Sequence, residues 1–140
     1  MLHRISKEHD VNEGKWIGVG GHFEDGESPE ACMLREVKEE TGLTLTEWKF
    51  HGVVTFQQGD LCEYMFLFTA TEAAEGFDAP LPACDEGILE WVDIARIPEL
   101  PLWEGDKVFL KLLAEDATGF LLKLVYDTEG RLISSNLNGT

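Results

Sequence analysis

"GHFEDGESPEACMLREVKEETGL", residues 21–43, reads as a glycine-rich loop running into a helix that carries Glu36, Glu39 and Glu40. Ser28 is a good N-cap and Pro29 suits the first helical position. Glu30 suits the positive end of the helix dipole, and Gly42 after Thr41 is a stop signal. At about 100° per residue the three glutamates share one arc of about 100°, because spacings of three and four stack side chains on one face. Leu34, Val37 and Thr41 fall on the opposite face, toward an expected core. Like charges at these spacings each cost an isolated helix about 0.2–0.5 kcal/mol, so the cluster has no stability rationale of its own. Hard divalent cations supply one, since Mg²⁺ is bound by a few carboxylates together with waters and phosphate oxygens. Taken alone, the same three residues also read as a solvated acidic face. Gly18, Gly20 and Gly21 let the backbone approach a ligand, or simply permit a tight turn.

Composition narrows what such a ligand can be. The 140 residues suffice for one domain with one core, and 44% of them are apolar. Asp plus Glu number 27 against 11 Lys plus Arg, a formal net charge of -16, so the chain repels nucleic acid polymers and anionic membranes. A small polyanion such as a nucleotide then needs a cation that is not protein, and a divalent metal is the candidate. Cys32, Cys62 and Cys84 are odd in number and form no CxxC pair, which reads as reduced thiols in a cytoplasmic protein. No apolar run approaches the roughly 18 residues of a membrane span.

Along the chain, residues 7–14 read as a loop and "KWIGV" (15–19) as a short strand. Residues 43–56 and 61–70, rich in β-branched and aromatic side chains, flank "QQGD" as an antiparallel pair. Residues 71–87 read as a loop, "ILEWVDI" (88–94) as a strand and "ARIPEL" (95–100) as a connecting turn. In 104–116 the spacing of Val108, Phe109, Leu112 and Leu113 predicts a second helix, and 119–135 a hairpin turning near "DTEG". The alternation predicts an α/β domain with a mixed sheet between helical layers.

The spacing of Gly21, Glu27 and the run Arg35-Glu36-Val37-Lys38-Glu39-Glu40-Thr41-Gly42-Leu43 matches the Nudix box, Gx5Ex7REUxEExGU with U aliphatic, at every defined position. The chain therefore resembles the Nudix hydrolases. The resemblance implies a Nudix-type α/β/α sandwich spanning residues 1–140 as one domain, and Mg²⁺-dependent hydrolysis of a nucleoside diphosphate linked to another group, with Mn²⁺ as an alternative metal. It makes Glu36, Glu39 and Glu40 metal carboxylates, adds the Gly20 carbonyl as a ligand, and pairs Arg35 with Glu27 to orient them. Such ions neutralise polyphosphate and lower the pKa of a bound water, from which a nearby carboxylate, Glu39 or Glu40, takes a proton.

Residues 14–30, 84–113 and 121–127 are further similar to the Nudix proteins assigned as 8-oxo-dGTP diphosphatases. That implies hydrolysis of 8-oxo-dGTP, or a related oxidised purine triphosphate, to the monophosphate and pyrophosphate. The alternatives are another nucleotide substrate within the family, or a nucleotide-binding module with little turnover. Glu86 matches a downstream metal or water-activating glutamate, and reads equally as a loop acid beside Asp85. Trp103 matches a base-stacking tryptophan and Asp106 an acid reading the purine edge. The other reading has Trp103 packing under the second helix and Asp106 capping it. Ile17 stands where vertebrate relatives place an asparagine against the base, Gly105 where they place a second acid, and His22 where many relatives carry lysine. Relatives also begin about twenty residues, a strand and a turn, before "MLHR". An exposed sheet edge is expected from that difference, with lowered stability or self-association of a monomer into a homodimer. His3, Arg4 and Lys7 read either as an ordinary solvated cluster or as groups able to face phosphate.

Overall fold

A computed structural model describes residues 1–3, 15–78, 80–82 and 87–139. The expected loop at 7–14, together with Arg4, Cys84 and Glu86, lies outside the described residues. Two compact units emerge, one of Met1–Trp48 with Ala70–Leu102, the other of Lys49–Thr69 with Trp103–Thr140.

The first unit holds a small sheet in which β1 (Leu2–His3) lies between β2 (Trp16–Ile17) and β5 (Ile88–Leu89), antiparallel to both. It also holds α1 (Pro29–Thr41), and each terminal signal in the sequence acts as expected. Ser28 Oγ accepts the Ala31 N–H at 3.1 Å. Gly42 adopts φ 77°, a left-handed conformation glycine takes without a Cβ penalty, and its N–H closes on the Lys38 carbonyl. Leu34, Val37 and Thr41 are half-buried, while Cys32 and Leu43 are the buried side chains of this stretch. The strand expected over 88–94 is shorter. Its partner β1 has only two residues, and Asp93 accepts the Ala95 N–H at 2.9 Å to start a 3-10 helix over Ile94–Glu99.

β3 (Leu45–Gln58) and β4 (Leu61–Ala73) are neighbours joined by a turn at Gly59, which takes φ +57°, and a link this short permits only antiparallel pairing. β4 runs three residues past the predicted strand, and the Ala74 N–H then bonds the Thr44 carbonyl. Glu75 fastens this corner. Its carboxylate accepts the Thr44 N–H at 2.7 Å and the Thr44 hydroxyl at 2.9 Å, with Lys38 Nζ at 3.4 Å. Those bonds, the Thr44 N–H foremost, hold its pKa down from 4.5 to about 2. A depressed folded-state pKa gives stability that is complete above the unfolded value and is lost as pH falls toward about 2. Thermal unfolding followed from pH 6 to pH 2 should therefore fall less steeply below pH 4.5 in Glu75→Gln than in the parent chain. Equal slopes would show that Glu75 contributes nothing to the acid limb.

In the second unit β3 pairs in parallel with β6 (Phe120–Tyr126), which pairs antiparallel with β7 (Leu132–Leu137), giving the four-stranded mixed order β4-β3-β6-β7. Alternation along β6 buries Phe120, Leu122, Leu124 and Tyr126 and turns Leu121 and Lys123 outward. With Val54 and Trp103 these four form the core, against which Val108, Phe109 and Leu112 of α2 (Glu104–Ala114) pack. Each such large apolar side chain contributes about 1.5–3 kcal/mol by leaving water, as an upper figure. His51, 1% exposed, bonds the Ala117 carbonyl through Nδ1 and the Thr69 hydroxyl through Nε2, both at 2.7 Å. The carbonyl can only accept, so Nδ1 carries a proton and donates it there.

Candidate active site

The site residues of α1 and the preceding loop all belong to the first unit. Arg35 is their hub. Its Nε and Nη2 donate to the two oxygens of Glu27 at 2.7 and 3.0 Å, a bidentate pair of the kind that fixes a planar guanidinium. Nη1 donates to Glu36 Oε1 at 2.8 Å and to Glu39 Oε2 at 3.2 Å, and Nη2 also reaches the His22 carbonyl at 3.0 Å. The Glu24 N–H donates to Glu27 Oε1 at 3.0 Å, closing the loop onto the pair. Hydrogen bonding to Arg35, then to the Glu24 N–H, holds the Glu27 carboxyl down at about 2. Glu27 in turn, followed by Glu36, raises Arg35 above its ordinary range. The pair is fully charged at every working pH.

The glutamates do not simply project into water. Glu36 retains 15% side-chain exposure because its carboxylate lies against Gly21, where any added Cβ would collide with it. Glu40 accepts the Gly20 N–H at 3.2 Å, so Gly20 meets this cluster through its amide. Glu39, with 57% side-chain exposure, is the most open of the three. The sequence pattern exposes the Arg35–Glu27 pair, but nothing in it shows that Arg35 also gathers Glu36 and Glu39, or that the His22 carbonyl anchors Arg35. Cys32 is buried beside this network, and burial, then its bond to Glu27, pushes its thiol pKa up. Cys32 and Cys62 are both free thiols.

Among the described residues no three acidic, histidine or cysteine side chains converge closely enough to hold an ion. The donor set nevertheless fits a hard cation. It is all oxygen, glycine supplies the room, and one cationic nitrogen, Arg35 Nη1, already lies within reach of Glu36 and Glu39 together. For these carboxylates to turn onto a metal, Glu39 must leave Arg35, whereas the bidentate Glu27 bond can keep the guanidinium in place. Arg35→Lys removes that planar fork. If these glutamates hold a metal, the variant is expected to remain folded by circular dichroism and to lose about 10–100-fold in turnover, the usual cost of losing a group that orients metal ligands. Parent-like turnover would show that the fork is dispensable.

The remaining expected residues are distributed over both units. Ile17 is half-buried in β2 and pairs with Leu2. Trp103, 6% exposed, stands at the N-cap of α2 without a side-chain capping bond and meets Phe56 and Tyr126 edge-on at ring-centroid distances of 5.4 and 5.0 Å. Asp106 is buried in the first turn of α2, where its charge suits the helix dipole; the cap position itself belongs to Trp103. The Gly105 N–H donates to the Tyr126 hydroxyl at 2.7 Å, and an added Cβ there would strike Leu124 and Tyr126.

Comparison with known proteins matches this arrangement to a family. The NUDIX domain model covers residues 1–113, and the chain belongs to the Nudix family: it is a Nudix hydrolase. It is 30% identical to the Nudix hydrolase YvcI of Bacillus subtilis over 129 residues, 89% of this chain and 80% of that one. It is 29% identical over 109 residues to the oxidized purine nucleoside triphosphate hydrolase of Danio rerio, covering 78% and 69% of the two chains. The crystal structure of the MutT protein from Bacillus halodurans matches at a TM-score of 0.82 with 29% identity, over 99% of this chain and 88% of that one. The α/β Nudix fold expected from the box is thus the fold the chain has. Enzymes of this family generally use a divalent metal such as Mg²⁺ and act on small nucleotide substrates. Among the described residues no helix is long and apolar enough to cross a membrane.

Proposed function

We propose that this chain is a Mg²⁺-dependent nucleoside triphosphate pyrophosphohydrolase acting on 8-oxo-dGTP or a related oxidised purine triphosphate in the cytoplasm, with residues 1–140 working as one domain. The observation that carries the metal-centred part of the reading is the single guanidinium nitrogen held by both Glu36 and Glu39 beside a Glu27–Arg35 fork. The oxidised-purine part is supported by the relatives at about 30% identity, one named for that substrate.

In this reading Glu36, Glu39 and Glu40, with the Gly20 carbonyl, hold the metal, which supplies charge neutralisation and a more acidic bound water. Arg35 and Glu27 keep those carboxylates oriented. Glu39 or Glu40 would accept the proton as water adds to phosphorus and the α–β bridging P–O bond breaks, its electron pair leaving on pyrophosphate if the α phosphorus is attacked and on the nucleoside monophosphate if the β phosphorus is. Glu86 is a further carboxylate for the metal or the water. Trp103, Asp106 and Ile17 are assigned to the base, and Asp106→Asn should alter the preference between 8-oxo-dGTP and dGTP while leaving metal affinity unchanged.

A panel of 8-oxo-dGTP, 2-hydroxy-dATP, dGTP, dATP, ADP-ribose and a nucleotide sugar, assayed at equal concentration with both products identified, tests the substrate. An oxidised purine triphosphate should give the highest kcat/KM, with pyrophosphate as product. A clear preference for ADP-ribose or a nucleotide sugar would move the chain to another branch of the family.

A further inference from the structure

In the first unit, the segment after β4 and the C-terminal end of α1 enclose a cavity of about 260 Å³, apart from the box carboxylates. Its apolar wall includes Leu43, Phe77 and Trp91. The two rings stand nearly perpendicular, with centroids 5.6 Å apart and planes at 72°, and Trp91 is 58% exposed. Its polar wall comes from Thr41, Gly42 and Glu75.

That polar wall offers acceptors. The Thr41 hydroxyl is spent, donating to the Val37 carbonyl at 2.6 Å and accepting the Leu43 N–H at 3.2 Å. What faces the cavity from α1 is its C-terminal end, where terminal carbonyls carry the negative pole of the helix. The Glu75 carboxylate accepts from the Thr44 N–H, the Thr44 hydroxyl, Lys38 Nζ and its own backbone N–H, and with 36% of its side chain exposed it still presents negative charge to an approaching donor. Among the described residues Lys38, which spans from Glu75 to the Gly42 carbonyl at 3.0 Å, is the one cation bonded to this corner, and it does not line the cavity. A ligand that fits must therefore bring donors to Glu75 and the helix end, and apolar or cationic bulk to the rings. Both demands are met by one chemistry, because aromatic faces attract cations and the overall charge of -16 concentrates them near the surface.

We propose that this cavity binds an organic cation, a guanidinium or alkylammonium on an apolar stem, donating to Glu75 with its stem against Trp91 and Phe77. The chemistry is shared by free polyamines and by arginine or lysine side chains. The test follows the Leu43 and Phe77 backbone N–H signals by NMR in the full chain at fixed ionic strength, together with the Trp91 indole N–H wherever Trp91 is kept. The probes are N-acetyl-arginine amide, its neutral isostere N-acetyl-citrulline amide, and spermidine. Saturable shifts are expected with arginine amide or spermidine, and whichever of the two binds tighter identifies the source. Citrulline amide should bind at least about tenfold more weakly, as should arginine amide to Trp91→Leu, since ring and charge act together. Glu75→Gln should weaken binding similarly; if that variant fails to fold, the citrulline comparison and Trp91→Leu decide. Shifts that do not saturate, or citrulline amide binding as tightly as arginine amide, would overturn the proposal.

Discussion

Replacing Glu39 by glutamine is expected to lower kcat by about 10²–10⁴-fold in saturating Mg²⁺, the range associated with losing a positioned proton acceptor. Glu39 is the most exposed of the three box glutamates, at 57%, and its bond to Arg35 Nη1, at 3.2 Å, is longer than the Glu36 bond at 2.8 Å. It is therefore the carboxylate most readily released toward substrate. The amide retains the side chain's shape and can still accept one bond from Arg35, so α1 should melt at nearly the parent temperature. It can neither take a proton at neutral pH nor offer an anion to a cation. Steady-state kinetics with a melting curve on the same sample check both halves. A loss below about threefold would remove Glu39 from the chemistry, and a large drop in melting temperature would mean that the variant reports stability instead.

The largest stability effect is expected at Gly52. It sits in β3 opposite Phe120 of β6, and an added Cβ would meet the Phe120 carbonyl oxygen at 2.5 Å and its ring at 2.7 Å. Backbone cannot swing aside as a side-chain tip can. Gly52→Ala should thus cost about 2–3 kcal/mol, the upper part of the range for overpacking a close-packed core. For a domain of this size that is a fall of very roughly 6–12 °C in Tm. Gly52→Ala melting within 1 °C of the parent would mean that β3 and β6 can part locally without loss.

The helix was legible because its signals are local. Ser28, Pro29 and Gly42 act on the residues beside them, and the structure places each at the position its chemistry specifies. β6 was legible for the same reason, its alternation being written residue by residue. The 88–94 segment misleads because its composition favours a strand, while its extent depends on β1, a partner nearly ninety residues away in sequence and only two residues long. Within the site, the motif exposes which acids belong together but not how they are held. The backbone groups of Gly20, His22 and Glu24 that fix the cluster carry no side-chain signature. Arg35 Nη1 joins two glutamates of α1 itself, Glu39 at i,i+4, while the folded-back loop adds the Glu27 and His22 bonds that no local spacing specifies.

In the proposed reading these glutamates act through a metal on a nucleoside triphosphate. The most direct test is the initial rate of pyrophosphate release from 8-oxo-dGTP across a Mg²⁺ titration that begins in chelator. The predicted result is no release without metal and a saturable rise as Mg²⁺ is added, with monophosphate formed in equal amount. Equal rates with and without Mg²⁺, or phosphate in place of pyrophosphate, would contradict it.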